Sequence, residues 1–227
     1  MICVLTGAVH GGKTRAATAV VESARAAGQR VMGVLCPGRM RYGVRTSIDA
    51  EDLATGKRVR LASRRSGKRD GLEGLALLEP VVPALRDLPA SGRARAGRFS
   101  FQSRGLMHGR RALRRAIRSF PDVVVIDEIG PLELSGQGWR APSDLLVSAY
   151  RDCRSRLLVL VVRERLLQRV CREWRLNPFV VHADDPRAAD RILARPRFRA
   201  PVRRAAQATA VVAGRRSMNS RKGALDA

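Results

Sequence analysis

A chain of 227 residues suits one domain of ordinary size with a tail. Its 45% hydrophobic content excludes a wholly disordered protein, and its 4% aromatic content means that the core must be built from Val, Leu, Ile and Ala. The formal net charge is +24. Among the 44 basic residues only Lys13, Lys57, Lys68 and Lys222 are lysine. A phosphate-binding surface would accept either cation, so the arginine skew reads as codon bias and a solvated surface. Nucleic acid is a possible partner by charge but not the favoured one. No apolar run reaches the ~18 residues of a membrane helix. The opening Met1 to Gly7 lacks the positive flank of a secretory signal, so no membrane partner and a cytoplasmic location are expected. Cys3, Cys36, Cys153 and Cys171 form no Cys-x-x-Cys pair and do not suggest zinc; three of them sit in or beside apolar stretches, where a free Cys behaves as a small buried hydrophobe.

In chain order, Ile2 to Thr6 is a short apolar strand ending at Gly7, and Lys13 to Ala27 a helix closed by Gly28. Val31 to Cys36 is a second buried strand, stopped by Pro37-Gly38. Tyr42 to Leu61 reads as a hairpin with Thr55-Gly56 near its turn. Residues 63–98 mix arginine, glycine, three prolines and two helix-like pieces, and are expected to form an irregular insertion or lid. His108 to Ser119 is a basic helix. Asp122 to Asp127 is the most hydrophobic strand. A helix follows over Pro142 to Cys153, then a strand at Leu157 to Arg163 and a helix at Glu164 to Trp174. Phe179 to His182 is the last strand, and Pro186 to Ala194 the last helix. Continuous Val/Ile/Leu strands alternating with helices predict an α/β fold, a mainly parallel sheet covered on both faces with a β-hairpin extension. The domain is expected to span residues 1–194, with residues 195–227 as a basic, disordered tail.

Gly7-Ala8-Val9-His10-Gly11-Gly12-Lys13-Thr14 satisfies G-x-x-x-x-G-K-[ST], the Walker A phosphate loop, between a predicted strand and a predicted helix. Glycines let successive backbone N–H groups point into one anion-sized hollow, and the helix adds its positive end. Lys13 can reach the β and γ phosphates, and the Thr14 hydroxyl can ligate Mg²⁺, a hard cation that takes oxygen. His10 occupies a variable position of the loop.

Val123-Val124-Val125-Ile126-Asp127-Glu128 closes a buried strand with two carboxylates, a Walker B pattern. Strand carboxyl ends line the ligand crevice of an open parallel sheet. Asp127 is placed to hold Mg²⁺, and Glu128 to polarise the water that attacks the γ-phosphate. An adjacent Asp-Glu pair points to a RecA-like sheet, with an extra strand between the two motif strands. Glu133 either joins the site or caps structure, the latter being favoured. Trp139 is placed in a mobile loop, where packing is favoured over covering a base.

Three stretches carry a resemblance: Gly7 to Thr14, Ser47 to Lys57, and Ile126-Asp127-Glu128-Ile129-Gly130-Pro131-Leu132-Glu133-Leu134. Together they resemble the thermophilic and cancer-related nucleoside-triphosphatase family of P-loop proteins, over Met1 to Ala194. The resemblance implies a single RecA-like domain that hydrolyses ATP, GTP and other triphosphates to diphosphate and phosphate, with Mg²⁺ as cofactor. Lys13, Thr14, Asp127 and Glu128 fall on the motif positions for phosphate, magnesium and water. No arginine is singled out to stabilise transition-state charge, and no feature specifies an oligomer. A nucleotide or small-molecule kinase, a nucleic-acid-linked ATPase and a nucleotide-gated binding module remain alternatives.

Overall fold

The computed structural model describes residues 1–64, 93–96 and 99–194, with backbone alone for 93–96. One mixed sheet organises them. Its parallel part consists of β1 (Ile2–Gly7), β2 (Val31–Leu35), β8 (Val123–Ile129), β9 (Leu157–Arg163) and β10 (Phe179–His182). An antiparallel extension adds β3 (Gly38–Arg41), β4 (Val44–Asp52), β5 (Arg58–Arg64), β6 (Arg93–Ala96) and β7 (Phe99–Gln102). The strands lie in the order β10-β1-β9-β8-β2-β4-β5-β7-β6, with β3 on β4. β9 therefore sits between the strand that feeds the glycine loop and the strand that ends in Asp127-Glu128, as the carboxylate pair led us to expect.

Helices cover both faces because each buried strand alternates its side chains between them. Cys3, Leu5, Val123, Val125, Val159 and Val161 pack with Ala17, Val20 and Ala24 of α1 (Lys13–Ala26) and Ile192 of α6 (Ala188–Leu193). On the other face Val4, Val34, Val124, Ile126, Leu158 and Leu160 meet three helices. These are α2 (Ser103–Ser119), α4 (Arg140–Arg151) and α5 (Leu167–Glu173), with a short α3 (Pro131–Leu134) after β8. The core is almost wholly aliphatic, and its largest fully buried side chain is Tyr150, whose hydroxyl donates to Pro121 O at 2.8 Å. No described helix is long and apolar enough to cross a membrane.

Several boundaries differ from the sequence reading; α4 runs over Arg140–Arg151 rather than Pro142 to Cys153, and β8 continues to Ile129. Strand β2 ends before Pro37-Gly38 as expected, but a further strand absent from the sequence reading, β3, starts at Gly38 and folds back on β4. Helix α2 begins at Ser103, five residues before the expected His108, because its glycines are packing residues rather than breakers. A Cβ on Gly105 would lie 2.3 Å from Arg60 O, and one on Gly109 2.5 Å from the Trp139 ring. The span Glu164 to Trp174 opens with a 3₁₀ turn over Glu164–Leu166 before α5. Residues 63–98 were expected to be irregular, but both flanks are strand: β5 runs to Arg64, and Arg93–Ala96 pairs with β7. The rest of that insertion, and the basic tail over 195–227, lie outside the described residues.

Candidate functional site

The carboxyl ends of β1, β8 and β9 meet around the loop after β1. That loop closes on itself, with Gly11 N–H donating to Ala8 O at 3.0 Å. A Cβ on Gly11 would stand 3.1 Å from the same oxygen, a tight approach that a side chain would fit only if the loop gave way by a few tenths of an ångström. Gly12 takes a left-handed φ of 74° as the residue capping α1, which turns the chain from loop to helix. His10 shares the left-handed region at φ 65° and is exposed at the loop's tip, as is Val9. The loop thus adjoins the N-terminal end of a 14-residue helix, where partial positive charge collects.

Lys13 opens that helix, and its side chain turns back over the loop. Its Nζ donates to Gly7 O at 3.3 Å and to Ala8 O at 2.6 Å. Burial lowers the Lys13 pKa, the charges of Arg163 and Arg45 add to this, and Glu128 and Asp127 oppose it. An ammonium held this way has given up much of its water and gains from any anion brought to it.

Asp127 is buried beneath the loop. The Cys36 N–H donates to its Oδ2 at 3.0 Å, and the Thr14 side chain hydrogen-bonds its carboxylate. Burial raises the Asp127 pKa to about 6, with the neighbouring Glu128 charge adding to the rise. Among the described residues this carboxylate has no direct ion-pair partner and only the nearby Lys13 charge to offset it, and a divalent cation beside it would add a countercharge. The donors present, a hydroxyl and a carboxylate, are hard oxygens that fit Mg²⁺. Cys36 is no competitor, because burial and the charges of Asp127, Glu128 and Glu133 push its thiol well above the ordinary range.

Glu128 follows at a slip in the ladder: Asp127 pairs with Val161 and Ile129 with Val162, leaving Glu128 as the extra residue. Its carboxylate is partly exposed and meets Arg163, whose Nε donates to Oε1 at 2.9 Å and whose Nη2 reaches the same oxygen. A cavity of about 340 Å³ opens here, lined by Gly7, Ala8, Val9, Arg163, Glu164 and Arg165.

Lys13, Thr14, Asp127 and Glu128 are thus brought together, while His10 and Val9 stand at the rim. Glu133 and Trp139 are not site groups. Glu133 is buried and accepts N–H groups from Gly130 at 2.9 Å and Trp139 at 3.0 Å, tying the turn after β8 to the start of α4. Trp139 was placed in a mobile loop, but it is core: it is 2% exposed, and its indole N–H donates to Leu106 O at 3.1 Å. Two arginines went unassigned in the sequence. Arg163 had a signal, being the last residue of a predicted parallel strand and so at the crevice. Arg45 had none, because only the antiparallel hairpin swings it within electrostatic reach of Lys13 and Cys36.

A strand entering a glycine loop and helix, a second strand ending in paired carboxylates and a third strand between them define a P-loop nucleoside-triphosphatase fold with a RecA-like sheet. The chain belongs to the NTPase family, whose model matches residues 2–183. It is similar to the nucleoside-triphosphatase THEP1 of Methanothermobacter thermautotrophicus, at 27% identity over 86% of this chain and 93% of that protein. The nucleoside-triphosphatase THEP1 of Methanopyrus kandleri matches at 29% identity over 60% of this chain and 61% of that one. Among solved structures, THEP1 from the hyperthermophile Aquifex aeolicus superposes with a TM-score of 0.55 and 19% identity, covering 86% of this chain and 98% of the other. The resemblance drawn from the three sequence stretches is borne out. The protein is a hydrolase of nucleoside triphosphates.

Proposed function

We propose that this chain hydrolyses ATP, GTP and other nucleoside triphosphates to diphosphate and phosphate, using Mg²⁺ held between Thr14, Asp127 and the substrate. The observation that carries the reading is the convergence of Lys13, Thr14, Asp127 and Glu128 on one glycine loop. The loop N–H groups and Lys13 bind the β and γ phosphates, with Lys13 exchanging its carbonyl contacts for phosphate oxygens. The Thr14 hydroxyl and the Asp127 carboxylate are the oxygen donors that would hold the metal. When bound, Mg²⁺ neutralises charge on the β and γ phosphate oxygens. Glu128 orients a water for in-line attack at the γ-phosphorus and accepts its proton. The bond to the β–γ bridging oxygen breaks, and the diphosphate leaves with that electron pair.

Broad base tolerance is part of this reading. Among the described residues the cavity beside the loop is lined by Gly7, Ala8, Val9 and three charged side chains. The adjacent Glu128 and the intervening β9 favour hydrolysis over transfer to an acceptor. The test is phosphate release from ATP, GTP, CTP and UTP, with Mg²⁺ or with chelator, and with or without added acceptors. We expect Mg²⁺-dependent phosphate release from all four without an acceptor. Turnover only when an acceptor is present would replace this reading with a kinase.

A further inference from the structure

A second site lies away from the glycine loop, where the antiparallel hairpin meets α2. The cleft there holds about 500 Å³, and its lining includes six cations: Arg39, Lys57, Arg58, Arg60, Arg104 and Arg111. Asp49 is the one acid in the lining among the described residues, and both its oxygens are engaged, Oδ2 by Arg39 at 2.8 Å and Oδ1 by Arg60 at 2.6 Å. Arg58 pairs with Glu51 at 2.7 Å. Among the described residues, Lys57, Arg104 and Arg111 have no carboxylate within ion-pair distance.

The cleft is rigid where it matters. Asp52 accepts from Ala54 N–H and the Thr55 hydroxyl, both at 3.0 Å, and pairs with Arg115 of α2. Asp52 N–H donates to Lys57 O at 3.0 Å, and the His108 ring meets that oxygen at 3.0 Å. Lys57 is therefore fixed against the helix rather than carried on a loose turn.

The positive surface continues along α2, where Arg104, Arg111, Arg114 and Arg118 are all exposed. Spacings of seven, three and four residues put them on one ridge, ~21 Å long at the helical rise per residue. The helix contains no acidic residue. Arg114 and Arg118 are a like-charge pair one turn apart, an arrangement that opposes the helix until an anion covers it, whereas Arg115 already has Asp52 as its partner. A small phosphate would fill the cleft but leave the ridge bare. An extended polyanion would cover both.

We propose that this cleft and ridge bind the phosphate backbone of a nucleic acid, at a site separate from that for the nucleoside triphosphate. Among the described residues the lining has Val59 as its one aliphatic side chain and no Phe, Tyr or Trp, so these residues offer neither an insertion wedge nor a base-stacking platform. Recognition runs through phosphates and is independent of base sequence.

The experiment uses the full chain and a fluorescent 30-mer, as duplex and as single strand, with anisotropy measured at several salt concentrations. Lys57→Glu/Arg104→Glu/Arg111→Glu is compared with Arg154→Glu/Arg172→Glu/Arg187→Glu, which removes the same charge from exposed positions elsewhere. We expect the cleft variant to lose at least ~30-fold in affinity, with a log–log salt slope lower by about three. The control should stay within about threefold of the parent, and both should hydrolyse triphosphate normally without nucleic acid. If the cleft variant misfolds, Arg104→Gln/Arg111→Gln carries the test, with a slope lower by about two. Equal losses in both triple variants would reduce the effect to net charge and overturn the site. So would cleft-dependent binding of phosphatidylserine vesicles or inorganic polyphosphate without binding of the 30-mer.

Discussion

Arg163 and Glu128 face each other across β9 and β8, with two guanidinium nitrogens on one carboxylate oxygen. The residue proposed to activate water is therefore held by a neighbouring strand rather than left to rotate. If Arg163 orients Glu128, its loss should lower turnover more than binding. We expect Arg163→Ala to reduce kcat by at least ~10-fold with KM changed by less than about threefold. Arg163→Lys retains the charge but lacks the planar fork, so it should restore only part of the rate. Steady-state kinetics on both variants checks this, and an unchanged kcat would leave the pair without a role in catalysis.

Lys13 offers a cleaner separation of binding from folding. Its ammonium rests on two loop carbonyls that it would leave for phosphate. Lys13→Ala should weaken binding of a non-hydrolysable triphosphate by roughly 10- to 100-fold, the worth of a charge-assisted contact. The thermal midpoint of the nucleotide-free protein should hardly move. Calorimetric titration and a melting curve on the same sample decide both.

Glu133 gives stability a pH dependence of defined sign. Burial raises its pKa to about 7 from an ordinary 4.5, against the two N–H groups it accepts. Between those values the native state binds more protons than the unfolded chain, so this group's contribution falls as pH rises through the window. Glu133→Gln should remove a slope on the order of 2 kcal/mol in total. Urea midpoints at pH 5, 6 and 8 on parent and variant measure it. Parallel curves would show that Glu133 does not titrate there.

Gly109 and Trp139 form a lock between α2 and the start of α4. A Cβ on Gly109 would overlap the indole, meeting Cε2, Cζ2 and Nε1 within 2.6 Å. Gly109→Ala should therefore destabilise by about 1–3 kcal/mol, as overpacking does. Trp139→Phe removes the ring atoms that clash. The double variant should be more stable than the sum of the two single losses predicts, and denaturant titration gives that coupling directly.

The motif residues and the parallel strands were legible in the sequence because each rests on local chemistry. Gly7 to Thr14 is a contiguous pattern, and Val123 to Ile126 a run that only a strand buried on both faces requires. β9 and β10 match their expected bounds for the same reason. What escaped depends on partners distant in the chain. The first turn of α2, before the expected His108, became visible only with Gly105 packed against Arg60 O. Trp139 looked mobile beside Gly136 and Gly138, and only Leu106 O shows that it is anchored. Arg45 and Arg163 were two among many arginines, and position in the sheet alone distinguishes them.

The central claim is a division of labour between adjacent carboxylates, and single-turnover hydrolysis by Glu128→Gln tests it most directly. Glutamine keeps the size of the side chain and loses its basicity. Triphosphate and Mg²⁺ affinity should therefore stay within a few-fold of the parent, while the rate of the chemical step falls by ~10²-fold or more. Asp127→Asn, measured alongside, should instead raise the Mg²⁺ concentration needed for half-maximal rate, since a neutral amide is a poorer ligand for a hard cation. A Glu128→Gln protein that binds normally and hydrolyses at the parental single-turnover rate would contradict the account.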